Sequence, residues 1–178
     1  MFINFRILFF LAIGMLFYNC KSTASSIAEI ENLKRVVNET NFEITANSAT
    51  PVAFANTLGL ENLLPPGSNV ANINLGSIQN YIKIKKDSLM MDLPYYGELQ
   101  IVSGYNSEAG LKFEGIPSDA IITFNPKKNN YSLMYEVKTK NENLKILISM
   151  YASKRCSFSI NSSSRTTISY DGFWKVIE

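Results

Sequence analysis

Histidine is absent from all 178 residues, and this removes more chemistry than any residue present supplies. Without imidazole neither a Ser-His-Asp nor a Cys-His constellation can be assembled, and the commonest metal ligand is missing. The sequence carries no Cys cluster for zinc, no Gly-rich loop followed by Lys-Ser/Thr to cradle a phosphate, and no calcium loop of alternating acids with its closing Glu. No cofactor and no metal site are expected. What remains for an enzyme is a pair of carboxylates, as in glycoside hydrolysis, or a Ser-Lys pair. Asp92, Glu98, Glu114, Asp119 and Glu136 are the acids to consider. Any two of them could face each other across neighbouring strands, but so could two solvated surface acids in any β protein of this size. The chain therefore reads as non-enzymatic.

Two cysteines remain to be placed. Cys20 follows an unbroken apolar run from Ile7 to Tyr18, with Arg6 before it and Lys21-Ser22-Thr23 after it. A transmembrane helix needs about 20 apolar residues, so this run is too short to span and has the size of a signal h-region. A thiol at its end can be thioether-linked to diacylglycerol and become the first residue of the mature protein. Two or three acyl chains, at about 0.8 kcal/mol per buried methylene, then hold it on a membrane. The three positions before Cys20 are Phe17, Tyr18 and Asn19, where lipoprotein signals usually carry Leu, a small residue and Gly or Ala. Ser22-Thr23-Ala24 offers the alternative, an ordinary cleavage giving a secreted, soluble periplasmic protein that begins at Ser25. If Cys20 is acylated, Cys156 has no partner for a disulfide; its alternation with Phe158 and Ile160 reads as a small buried hydrophobe rather than a reactive thiol.

The segment with the most distinctive chemistry is Leu93-Pro94-Tyr95-Tyr96-Gly97. Proline ends ladder pairing and fixes φ, glycine permits a tight bend, and adjacent tyrosines on an extended backbone point to opposite sides. One ring is expected in the core and the other nearer solvent. Such a motif either locks a strand end as an aromatic corner or, with Tyr105 or Tyr135, forms a platform for a sugar, a peptide or a lipid head group. Lys83, Lys85 and Lys86 alternate with Ile82 and Ile84, which is what a strand with one solvated face produces.

The elements that must position these residues are mostly strands. Ser26 to Glu29 has capping-box spacing, and Ile27, Ile30, Leu33 and Val37 share a face, which predicts a helix over Ile27–Asn38. Phe42, Ile44 and Ala46 then alternate. Leu58 to Leu64 reads either as a helical turn or as a strand, ended by Pro65-Pro66-Gly67. From Asn69 onward nearly everything reads as antiparallel strand: Val70–Leu75, Tyr81–Lys85, Ser88–Leu93, Glu98–Tyr105, Leu111–Glu114, Ala120–Asn125, Tyr131–Val137, Leu144–Met150 and the Cys156 strand. Arg165–Tyr170 follows, with Asp171-Gly172 as a two-residue turn into Phe173–Ile177. The fold class is all-β, an antiparallel sandwich or barrel of about ten short strands with one N-terminal helix. Residues 1–19 form the leader, 20–26 a tether and 27–178 one mostly-β domain.

Several of these segments carry a resemblance. The helix leading into Asn41-Phe42-Glu43-Ile44, the segment from Asp87 to Gly97 and Gly110-Leu111-Lys112-Phe113-Glu114-Gly115 do so, together with Ile168-Ser169-Tyr170-Asp171-Gly172. They resemble the domain of unknown function 4251 family, found mainly in envelope proteins of Bacteroidota and often behind a lipoprotein signal. Leu93 to Gly97 is its most specific element, although the family more often has Phe at the second aromatic position. The resemblance implies a periplasm-facing or membrane-tethered β domain and brings no activity or catalytic residue with it. Surface-displayed proteins of that phylum often place acids directly after the acylated cysteine; Lys21, Ser22 and Thr23 here point to the periplasmic face of the outer membrane instead.

Seventeen basic residues against fifteen acidic ones leave the chain near neutrality, so no nucleic-acid partner is expected. The expected function is that of an envelope lipoprotein that touches the membrane through Cys20 and binds an envelope protein or a small ligand. The alternatives are a carrier holding an apolar molecule inside a β-barrel, suggested by apolar residues on both faces of Leu144–Tyr151, and a carboxylate-dependent hydrolase.

Overall fold

The capping box is formed: the Ser26 hydroxyl accepts from the Glu29 N–H at 3.2 Å, and the Glu29 carboxylate accepts from the Ser26 N–H at 2.8 Å. Helix α1 runs from there over Ile27–Glu39 and stops at Thr40, which takes the left-handed conformation. The computed structural model describes residues 25–52, 64–100 and 110–177. The leader, Cys20, nearly all of Leu58–Leu64 and Tyr105 lie outside these. The buried stripe of α1 is Leu33, Val36 and Val37 with Ile30 partly buried, while Ile27 is exposed. The expected face is thus shifted: the first turn overhangs the core, and Val36 completes the stripe.

Ten strands follow: β1 (Asn41–Pro51), β2 (Ile73–Asn74), β3 (Tyr81–Lys85), β4 (Ser88–Pro94) and β5 (Gly110–Gly115), then β6 (Asp119–Asn125), β7 (Asn130–Lys138), β8 (Asn143–Tyr151), β9 (Arg155–Ser162) and β10 (Ile168–Val176). They form one antiparallel sheet in the order β5-β4-β3-β1-β10-β9-β8-β7-β6, with β2 paired to the far half of β1. A sandwich of two sheets is therefore set aside in favour of a single curled sheet.

Chain connectivity forces the curl. Strands β5 and β6 stand at opposite ends of the order, which in a flat sheet would separate them by roughly 38 Å at about 4.8 Å per strand. Yet only residues 116–118 join Gly115 to Asp119, a link that spans at most about 15 Å. The two ends of the sheet must approach there, leaving a seam where, among the described residues, neither strand has a second neighbour.

Alternation fills the inside of the curl. Phe42 and Ile44 from β1, Leu89, Met91 and Leu93 from β4, and Leu133, Tyr135 and Val137 from β7 join one buried cluster. Ile146 and Ile148 from β8 and Tyr170 and Trp174 from β10 belong to it as well, as does the α1 stripe. The interior is thus occupied by side chains.

Two local expectations are corrected and a third is described only in part. Val70–Leu75 yields a strand only at Ile73–Asn74, because the Asn69 side chain accepts from the N–H groups of Ala71 and Asn72 and turns the chain. At Glu98–Gln100 the chain makes an isolated bridge, Leu99 to Arg165, and the rest of the expected Glu98–Tyr105 strand lies outside the described residues. Asp171-Gly172 is no turn but the middle of β10, where Gly172 faces Ala46 beside a bulge in β1. A glycine inside a strand often marks such a bulge and close backbone approach. Where β1 leaves β3, the buried Asn80 side chain takes over as partner, accepting from the Ala46 N–H at 2.7 Å and donating to its carbonyl at 3.0 Å.

Candidate functional site

The Leu93–Gly97 motif closes the end of β4. Leu93 is fully buried, Pro94 is the last residue of the ladder, paired with Gly110, and its carbonyl accepts from the Tyr170 hydroxyl at 2.8 Å. The Tyr95 hydroxyl lies 2.8 Å from the Thr166 carbonyl and 3.0 Å from its side-chain oxygen. Thr166 also accepts from the Glu98 N–H at 3.0 Å and donates its own N–H back to the Glu98 carbonyl. Gly97 is required by this contact: a Cβ there would occupy the space of the Tyr95 hydroxyl and the Thr166 Oγ1. Burial raises the Tyr95 phenol pKa, a rise that hydrogen bonding to Thr166 and the Arg165 charge reduce.

The expectation of one tyrosine inside and one outside is not met. Tyr95 and Tyr96 are both half-buried and packed against the core, because they lie past the end of β4, where strand alternation no longer applies. Nor does a platform with Tyr135 form: Tyr135 is buried in the main cluster, and Tyr105 lies outside the described residues. Among the described residues, the motif ties the end of β4 to Thr166 through Tyr95.

Behind the corner sits a buried ion pair. Arg165 Nε donates to both carboxylate oxygens of Glu142, at 3.0 and 3.1 Å, with both side chains more than nine-tenths buried. The hydroxyls of Ser162 and Ser164 donate to the same carboxylate, and the Arg165 guanidinium lies over the Tyr95 ring at 5.1 Å. Glu142 lies between the expected strands Tyr131–Val137 and Leu144–Met150, and Arg165 opens the expected Arg165–Tyr170, 23 positions away. Their only local sign was the serine run Ser162 to Ser164 next to Arg165.

The five acids do not gather at one place: Asp92 and Glu114 lie on the β4–β5 ladder, Asp119 and Glu136 on β6–β7, and Glu98 just past the end of β4. Asp92 pairs with Lys112 at 3.8 Å on β4–β5, Glu136 pairs with Lys145 at 3.2 Å on β7–β8, and Glu98 and Glu114 are exposed. Asp119 stands opposite Glu136 in register but caps its own chain, accepting from the Ala120 N–H. Lys83 joins Lys175 on either side of Glu43, at 3.4 and 3.1 Å, in a charged row across β3, β1 and β10 on the outer face.

Burial pushes the Cys156 thiol up to about 12, and the Asp171 charge adds to the shift. At pH 8 about one thiol in ten thousand is then ionised, and the thiolate is the reactive form. A disulfide reagent should therefore leave Cys156 untouched in the native protein and titrate it fully in denaturant. Rapid native modification in a Cys20→Ser background would contradict the burial.

An open groove of about 740 Å³ crosses the outer face over β1, β9 and β10. Its floor includes Ser157 and Gly172, and its walls carry Phe173, 47% exposed, and Tyr151, 37% exposed, beside Arg155 and Asp171. Neither charge has an ion-pair partner among the described residues.

Residues 24–174 match the profile of the domain of unknown function DUF4251. The chain belongs to the DUF4251 family. A crystal structure of a DUF4251 family protein from Bacteroides eggerthii DSM 20697 superposes with a TM-score of 0.56, covering 84% of this chain and 88% of that one at 12% identity. That likeness concerns the fold, and it extends over nearly all of both DUF4251 chains. No curated protein matches the sequence significantly.

Proposed function

We propose that this DUF4251 chain is a non-enzymatic lipoprotein of the cell envelope, anchored through acylated Cys20 at the periplasmic face of the outer membrane, whose β domain binds an envelope protein or a small ligand. The observation that carries the binding role is the outer groove, where Phe173 and Tyr151 stand exposed beside Arg155 and Asp171, whose charges have no ion-pair partner among the described residues. Aromatic and arginine side chains are the groups enriched at recognition surfaces, since a rigid ring supplies contact area at little entropic cost. The apolar leader before Cys20 supports the address.

Each half has its own test. Radioactive palmitate should label the wild-type protein and not a Cys20→Ser variant, which should leave the membrane fraction; an unlabelled wild type would sink the anchor. For the groove, a photo-crosslinker placed at Phe173 should give a discrete adduct in intact cells, lost on Asp171→Lys, while one placed at exposed Lys127 should not. Equal yields from both positions would remove the groove from the argument.

A second reading, a carrier of an apolar ligand, is favoured by one feature. At the β5–β6 seam Ile84, Leu89 and Ile122 line a recess of about 340 Å³, within the size range of small-molecule sites.

A further inference from the structure

The outer groove presents a block of four side chains on two neighbouring strands. Strand β10 places Asp171 and Phe173 on the same face, and β9 sets Ser157 opposite Asp171 and Arg155 opposite Phe173. Partners in register lie about 5 Å apart and same-face neighbours along a strand about 7 Å, so a ligand the size of one ring reaches all four. Ser48 of β1 faces Asp171 from the other side and extends the polar row by one strand. Among the described residues, the side chains of Ser48, Arg155, Ser157 and Asp171 make no hydrogen bond or ion pair, and no second ring or cation covers the face of Phe173.

These features narrow the occupant. At the groove β1, β10 and β9 are each paired on both sides, so an extended peptide finds no strand edge to join and recognition falls to side chains. One guanidinium and one carboxylate offset each other, so the groove selects no net charge, yet it offers a planar fork of donors beside a pair of acceptors. A fully apolar ligand would cover those groups without satisfying them. The face of an exposed ring is the negative part of its quadrupole and attracts polarised C–H groups. An uncharged molecule with C–H groups on one face and adjacent hydroxyls along its edge answers all of these demands. We infer that the outer groove binds a short, uncharged saccharide, which lays its C–H face on Phe173 and gives its hydroxyls to Asp171, Arg155 and the serine row. The inference rests on the binding role proposed for the groove and adds to it the class of ligand.

The test offers the mature protein, purified from its native host in a detergent without a sugar head group, to an immobilised array of neutral and anionic oligosaccharides. The neutral compound retained best is then titrated by calorimetry. At least one neutral saccharide should be retained, with no preference for anionic ones, and raising the salt to about 0.5 M should change its affinity by less than about twofold, since no net charge is screened. Phe173→Tyr keeps a flat ring and should bind within about twofold of wild type, whereas Phe173→Leu, apolar but not flat, should lose about fivefold. Asp171→Ala should lose about tenfold, the worth of one hydrogen bond to a charged group. Both positions are exposed, so the variants should melt as the wild type does. Equal binding by Phe173→Leu and Phe173→Tyr, or retention of anionic glycans alone, would overturn the saccharide. A blank array beside a discrete protein adduct from the Phe173 crosslinker would also refute it while leaving the groove a protein site; a blank array with no adduct would remove the binding role as well.

Discussion

Glu142→Ala is expected to destabilise the domain by about 3–5 kcal/mol, the usual result of deleting one partner of a buried ion pair. The loss comes from what is left behind. Arg165, nine-tenths buried, would keep its charge without the carboxylate that its Nε contacts twice, and the Ser162 and Ser164 hydroxyls would lose their shared acceptor. For a domain of this size each kcal/mol moves the melting temperature by roughly 2–4 °C, so a drop on the order of 10 °C should be seen in a thermal melt. Glu142→Gln, which keeps an acceptor but no charge, should fall between wild type and Glu142→Ala. Replacing Glu142 and Arg165 together, as in Glu142→Leu with Arg165→Met, should cost less than Glu142→Ala alone, since the buried guanidinium is removed along with its carboxylate. A loss below about 1 kcal/mol for Glu142→Ala would place the pair in the range of solvated surface bridges and remove it from the account of the corner.

Gly172→Ala is expected to cost about 3 kcal/mol or more, the upper end of the range for overpacking. The added Cβ would meet the Thr45 carbonyl oxygen and the Ala46 Cα, both backbone atoms of the strand paired with β10. Side chains at a crowded contact can rotate away, but a ladder cannot shift one strand without breaking its hydrogen bonds. The bulge between Ala46 and Ser48 brings β1 into this position, so the glycine and the bulge are two sides of one feature. Urea unfolding of the variant would measure the cost. A midpoint indistinguishable from wild type would mean that the strands have room to separate.

Both positions show how local reading and tertiary structure divide the work. Asp171-Gly172 resembles a hairpin turn by every local rule, and it sits inside a nine-residue strand because its neighbours on both sides are paired. Leu93–Gly97 was legible as either an aromatic corner or a platform because Pro94 and Gly97 bracket its two tyrosines, but the Thr166 that Tyr95 bonds lies 71 residues away. The curl was not legible either: a three-residue link between β5 and β6 ordinarily joins neighbouring strands, whereas here it ties together the two ends of the sheet.

The sequence by itself determined the helix with its capping box, the alternating strands and the all-β class, since each depends on contacts within a few residues and on which side chains avoid water. It also carried the family likeness, in short motifs. Strand order, the Glu142–Arg165 pair, the outer groove and the seam were decided only in three dimensions. Pairing energies between strands are nearly independent of how far apart they lie in the chain, so the order is set by whichever arrangement buries the most apolar surface at once.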